Sequence, residues 1–136
     1  MEQEARLEKS AWISTLMRVV LGIIFLVHGY MKFQMGLGNV DAWFTSAGTP
    51  GFLAYIAGPL ELVGGVMLII GLFTRYVSIL FVLLMVAAIV LMKLPLGLVS
   101  DTGAGYELDL GFLLIALHLT FAKSTPLSLD KAFLSE

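Results

Sequence analysis

The sequence has no cysteine. That excludes disulfide staples, thiolate nucleophiles, Cys-ligated zinc and Cys-ligated iron–sulfur clusters. Charge is also scarce: Asp, Glu, Lys and Arg make up 13% of 136 residues, where a soluble domain carries roughly a quarter. No run or stripe of Lys and Arg is present and the net charge is −2, so the chain lacks the electrostatic footprint of a nucleic-acid binder. Its two histidines and its carboxylates fall in no recognised metal-ligand spacing, and no metal site is expected.

Hydrocarbon fills the chain instead. Hydrophobic residues reach 59% and the mean hydropathy is +0.96. Small domains have the least interior per residue, so a water-soluble chain of this length would have nowhere to hide that surface. A lipid bilayer is the solvent that resolves the conflict. The length allows one domain, residues 1–136.

Four apolar segments, about 12–33, 52–73, 76–94 and 106–122, each approach the ~20 residues that cross a ~30 Å hydrocarbon core, the last at the short end. Backbone groups in lipid must be satisfied within the segment, and no period-2 alternation suggests a barrel. The expectation is an all-α fold, an integral membrane four-helix bundle. The first segment exceeds the ~7–15 apolar residues of a signal peptide and no small-x-small cleavage site follows, so it reads as a retained span. Between the first two segments, Asn39 as a cap, Asp41 in the first turn and Gly48 with Pro50 as a stop predict a short interfacial helix, with Val40, Trp43 and Phe44 on its apolar side. Residues 1–10 read as a polar cap, Pro95 with Gly97, Gly103 and Gly105 as the third loop, and the residues from Lys123 onward as a polar tail.

With the N-terminus inside, that side carries Arg6, Lys9, Arg18, Arg75, Lys123 and Lys131, and the other only Lys32 and Lys93. The positive-inside rule then places both termini in the cytoplasm. Glycines recur at seven-residue spacing (Gly22 and Gly29, Gly58 and Gly65, Gly64 and Gly71), which predicts close helix packing on those faces.

Ionisable groups at membrane depth cost about 2.5–3.5 kcal/mol each at a helix centre, so each needs a reason. At roughly 100° per residue, Arg18, Gly22, Phe25, His28, Gly29 and Lys32 share one arc of the first helix, which must face the bundle interior. Glu61 lies about two and a half turns in from the outer surface, and Asp109 enters the fourth helix from that side. A cluster of His28, Lys32, Glu61 and Asp109 in the outer half is expected. Histidine titrates near neutral pH, so the cluster suits a proton relay or a hydrogen bond to a carbonyl headgroup such as a quinone's. His28, Glu61 and Asp109 would be the reacting groups, with Arg18, Lys32 and Arg75 balancing charge around the bound molecule. The bland alternative is a permanent network of Glu–Lys and Glu–Arg pairs that fixes helix register, with Lys32 and Lys93 snorkelling to headgroups. Haem is not expected: His28 and His118 sit at levels about 10 Å apart along their helices, unsuited to one iron. His118 lies about 180° from Asp109 on the wheel and reads as a buried core histidine or one near a subunit contact.

Three segments together resemble a known family: R18-V-V-L-G22-I-I-F25-L-V-H28-G29-Y-M-K32, then G58-P59-L-E61-L-V-G64-G65-V-M-L-I-I-G71-L-F-T74-R75, then E107-L-D109-L. These are similar to the DoxX family of small four-helix bacterial membrane proteins, and the resemblance covers about residues 12–122. Arg18, His28, Lys32, Glu61, Gly64, Gly65 and Arg75 match its motif positions. The resemblance implies a multi-pass protein of the bacterial plasma membrane tied to redox processes. The namesake resembles the small subunit of a terminal quinol oxidase or thiosulfate:quinone oxidoreductase, and other members accompany enzymes that handle catechols, hydroquinones or thiol stress. Expected partners are therefore the lipid bilayer, a quinone or other small aromatic redox molecule, an oxidoreductase subunit and further copies of the chain. Two functions stay open at this point, a quinone-interacting oxidoreductase component or a non-enzymatic scaffold or assembly subunit for a redox partner. A third, a small-solute carrier, has the least support, since four spans with no internal inverted repeat offer little to rock against.

Overall fold

The structure, a computed structural model, describes residues 1–101 and 105–134; Gly103 lies outside the described residues. Five α-helices follow in chain order: α1 Glu2–Met35, α2 Leu37–Ser46, α3 Ala54–Ile70, α4 Thr74–Ala88 and α5 Glu107–Phe121. A 3₁₀ turn, Gly51–Leu53, leads into α3. Beyond α4 the chain continues as a π-helical stretch, Ile89–Lys93, and a 3₁₀ turn, Leu94–Leu96. Among the described residues there is no β-strand.

Three helical runs are long and apolar enough to cross a membrane: Glu2–Met35, Gly51–Ile70 and Thr74–Leu96. The fifteen residues of α5 rise about 22 Å, short of a full hydrocarbon core. Leu16, Ile23, Val27, Val63, Val66, Leu83, Val86 and Leu114 all face outward, while Arg18, Glu61, Asp109 and Asp130 are buried. Apolar outside and charged within is the reverse of a soluble domain, and it is the surface of a membrane protein.

At 34 residues, α1 is about 51 Å long, well beyond a ~30 Å core. Residues 2–10, read from sequence as a cap, are about two and a half further turns of the same helix. Glu2 and Glu4 favour its N-terminus through the helix dipole, and Glu2 with Arg6 makes an i,i+4 pair at 3.9 Å. A second correction concerns Asn39. The short helix α2 begins two residues earlier than its predicted cap, after Gly36 at φ 89°. Asn39 instead donates from Nδ2 to the Met35 carbonyl at 2.6 Å, satisfying an orphan acceptor at the end of α1. Val40 and Phe44 turn inward, and Trp43 stays exposed.

One core is shared by four helices: Leu21 and Phe25 from α1, Leu68 from α3, Val77, Phe81 and Met85 from α4, and Ala116 and Leu119 from α5. Phe25 and Phe81 stack with ring centroids 4.0 Å apart. Between α1 and α3 the backbones themselves touch. A methyl group added at Gly65 would meet Leu26 N at 2.6 Å and Gly22 O at 2.7 Å, and one at Gly29 would meet Leu62 N at 2.5 Å. In lipid no hydrophobic force drives helices together, so close van der Waals approach of this kind is what holds the pair. The seven-residue glycine spacing also picks up other positions: Gly64 faces Phe81 of α4, Gly58 faces Leu37, and Gly71 takes φ +71° to end α3.

The polar tail folds back over the end of the molecule where α3 hands over to α4, hereafter the tail end. Arg18, fully buried, donates from Nη1 to Thr125 Oγ1 at 2.6 Å and from Nη2 to the Leu127 carbonyl at 2.8 Å. Thr15 Oγ1 donates to the Pro126 carbonyl at 3.1 Å. The Asp130 carboxylate accepts from the backbone N–H of Phe73 at 2.6 Å and of Thr74 at 2.8 Å, and its own N–H donates to Gly71 O at 2.9 Å. A carboxylate 56 residues downstream of Thr74 thus caps the N-terminus of α4, where negative charge is favoured. Sequence reading missed this clasp.

Candidate functional site

At the opposite end, beneath α2, a cavity of about 450 Å³ opens between the helices. That volume falls within the usual range for small-molecule sites. Its apolar wall is Phe25, Phe112, Leu84 and Met85, with Trp43, Phe44 and Ala47 of α2 closing one side. Its polar wall is His28, Lys32, Glu61, Lys93 and Asp109.

Each polar residue is delivered by a local feature of the chain. His28 and Lys32 are one turn apart on α1, on the face that also carries Gly29. Because Gly29 lets α3 approach backbone to backbone, Glu61 reaches Lys32: Nζ to Oε2 is 2.8 Å, with the Glu61 side chain 6% exposed. Asp109 enters from the first turn of α5, where a carboxylate is favoured by the helix dipole. It pairs with Lys93 at 2.7 Å. Lys93 and Met92 both sit on the π-helical stretch and both line the cavity. π-Helical turns recur at functional sites because they re-aim side chains out of α-helical phase.

His28 is exposed to the cavity mouth, and its Nδ1 lies 2.8 Å from the Ile24 carbonyl. A carbonyl only accepts, so Nδ1 carries a proton, and the tautomer with that single ring proton leaves Nε2 as an acceptor. Glu61 lies within Coulombic reach of His28 and Asp109 as well as Lys32. The arrangement therefore offers one imidazole acceptor, two ammonium donors already neutralised by carboxylates, and aromatic surfaces on which a ring can lie.

Of the six residues singled out from sequence, four line this cavity: His28, Lys32, Glu61 and Asp109. Arg18 and Arg75 do not join them. Arg18 lies ten residues before His28, about 15 Å along α1, and is engaged by the tail. Arg75 lines a separate groove at the tail end with Thr125 and Asp130. Their expected part in balancing charge around a bound molecule has no geometric basis here. Lys93, read as a snorkelling residue, is the missed member. His118 is corrected as well: it is exposed, and its Nε2 lies 2.8 Å from the Ser14 hydroxyl, so it is not a buried core histidine.

The DoxX family model matches residues 13–94, which takes in α1 through the π-helical stretch and leaves α5 outside. "Putative oxidoreductase CatD" of Bacillus subtilis (strain 168) is 42% identical over 125 residues, covering 91% of this chain and 90% of that protein. An uncharacterized membrane protein of Mycobacterium tuberculosis (strain ATCC 25618 / H37Rv) is 32% identical over 127 residues, covering 84% and 77%. An uncharacterized protein of Haemophilus influenzae is 31% identical over 121 residues, covering 86% and 87%. No solved structure matches the chain.

Proposed function

The chain belongs to the DoxX family of membrane proteins, and on that premise we propose that it is a quinone-interacting component of a membrane oxidoreductase system. In this reading it is a multi-pass protein of the bacterial plasma membrane, with α5 as a short fourth crossing and both termini in the cytoplasm. The polar flanks of α5, Glu107 and Lys123, and the six cations gathered toward the tail end support that topology.

The observation that carries the function is the cavity, with an acceptor nitrogen and two paired ammonium groups on one wall and aromatic rings on the other. A quinone carbonyl would accept from Lys32 or Lys93, and a quinol hydroxyl would donate to His28 Nε2. Oxidation of a quinol releases two protons and two electrons. His28 would take up one phenolic proton, with Glu61 and Asp109 holding the positive charge this creates, and the second proton would leave to water at the cavity mouth beside the exposed His28 ring. The electrons would leave to an oxidoreductase partner, a role in keeping with the name of the Bacillus subtilis relative.

Purified protein is expected to bind a menaquinone analogue, and His28→Ala and Glu61→Ala are each expected to weaken that binding about tenfold, the loss of one or two buried hydrogen bonds. Titration by quenching of tryptophan fluorescence measures it. Unchanged affinity in both variants rejects the site.

A second reading rests on the completeness of the ion pairs. Both cavity carboxylates already have ammonium partners at 2.7–2.8 Å, which also suits a scaffold or assembly subunit whose charges only fix the helices. In that case Glu61→Ala lowers expression and stability, the ligand has no effect on melting, and affinity purification in mild detergent recovers an oxidoreductase.

A further inference from the structure

Beside the polar cavity lies a second, smaller one of about 80 Å³. The two share five wall residues: Phe44, Ala57, Leu84, Ala88 and Met92. The smaller chamber continues outward between α3 and the end of α4, past Ala87, to Ile56 and Leu91. Both of those side chains face the lipid. Small residues, Ala57, Ala87 and Ala88, keep the passage open. Thr49 is its one hydroxyl-bearing lining residue, and that hydroxyl donates to the Leu91 carbonyl at 3.2 Å. The passage is therefore apolar along its length and ends at the hydrocarbon. A charged chamber and an apolar duct thus lie side by side, parted only by the side chains they share, and the pair matches a molecule with a polar ring and a hydrocarbon tail.

We infer that the cavity takes a membrane-resident prenylated quinone, with its ring among His28, Lys32, Glu61, Lys93 and Asp109 and its tail leaving between α3 and α4 past Ala87 to Ile56 and Leu91. This rests on the quinone reading above and narrows it: water-soluble catechols and hydroquinones, which have no tail, leave the duct unused. A tail gains little free energy by exchanging lipid for an apolar wall. The duct serves entry. It lets the ring reach the charges while the tail stays in contact with hydrocarbon and never crosses the polar wall.

The test uses the full chain in lipid nanodiscs with two probes, a menaquinone bearing several isoprene units and menadione, the same ring without a tail, both at defined mole fraction in the bilayer. The wild-type protein is expected to bind both. Ala87→Phe, which fills the duct and leaves the polar chamber untouched, is expected to weaken the tailed probe by about tenfold or more and menadione by less than about twofold. Ile56→Trp, on the lipid-facing rim, is expected to do the same and stands in if Ala87→Phe does not fold. Equal effects on the two probes, or no effect on the tailed one in either variant, overturn the inference. Release of a co-purified phospholipid with quinone binding intact overturns it too, since the duct is then an acyl-chain site. Failure of the wild type to bind either probe is a separate result, and it removes the quinone reading itself.

Discussion

Cutting the chain after Ser124 is expected to abolish the folded protein in detergent extracts, and Arg18→Leu in the same shortened chain is expected to restore part of it. The guanidinium of Arg18 is fully buried, donates to Thr125 and Leu127, and lies within Coulombic reach of Asp130. Every one of these partners is on the tail. Removing them strands a buried charge, which costs about 3–5 kcal/mol. Losing the Asp130 cap on α4 adds about 1 kcal/mol. Native proteins have only about 5–15 kcal/mol in hand. Leucine at position 18 removes the stranded charge, so the doubly altered chain should melt above the truncated one. In the full-length chain Arg18→Leu should cost about 3 kcal/mol, since a buried hydroxyl and a carbonyl lose charged donors. Melting curves followed by tryptophan fluorescence would decide it. A truncated chain that melts within about 2 °C of the intact one, less than 1 kcal/mol for this size, would show that the tail is ornamental.

The second large effect is expected at Gly65. Its missing side chain is where Leu26 N and Gly22 O already stand at 2.6 and 2.7 Å. Both are backbone atoms and cannot swing aside as a side chain end would. Gly65→Ala must push α1 and α3 apart along their shared seam, and about 3 kcal/mol is expected for overpacking of this kind. The same displacement would pull Glu61 away from Lys32, so the variant should lose the proposed quinone binding as well as stability. Gly111→Ala is the matched control. A methyl there meets nothing within 4 Å, and removing a mid-helix glycine should stabilise α5 by about 0.5–1 kcal/mol. If both variants melt alike, backbone contact is not what joins α1 to α3.

Much of this architecture was written in the pattern of the sequence. Long apolar runs punctuated by Gly48-Thr-Pro50, Gly71 and Pro95 mark the breaks between helices to within a few residues, because lipid permits few alternatives for such runs. Nothing in the polar start of the chain, by contrast, marked the ten further residues of α1. The arc from Arg18 to Lys32 is a regular α-helix, so wheel arithmetic carries His28 and Lys32 to the same wall as Glu61. That arithmetic fails beyond Ile89. There the backbone bonds i to i+5, and the phase it assigns to Lys93 drifts away from the true one. Asn39 misled for a different reason: two competing partners were available to its amide, and the carbonyl of Met35 won over the helix it was expected to start. The clasp left the faintest trace. Hydrogen bonds from Arg18 to a threonine and to a backbone carbonyl more than a hundred residues on have no periodicity. The available signal was the need itself, since an arginine at that depth must be answered by something.

The separation in sequence between Arg18 and its partners also sets an order of events during synthesis. Thr125 lies 107 residues after Arg18, and at about 5–20 residues per second the first helix waits roughly 5–20 s for the tail to be made. Through that interval its arginine must rely on water, headgroups or the insertion machinery. Only when residues 125–130 have been made can the guanidinium be answered and α4 receive its cap. A chain released early keeps its hydrophobic helices yet carries an unanswered charge. The clasp thus closes late, since its two halves lie 107 residues apart in the order of synthesis.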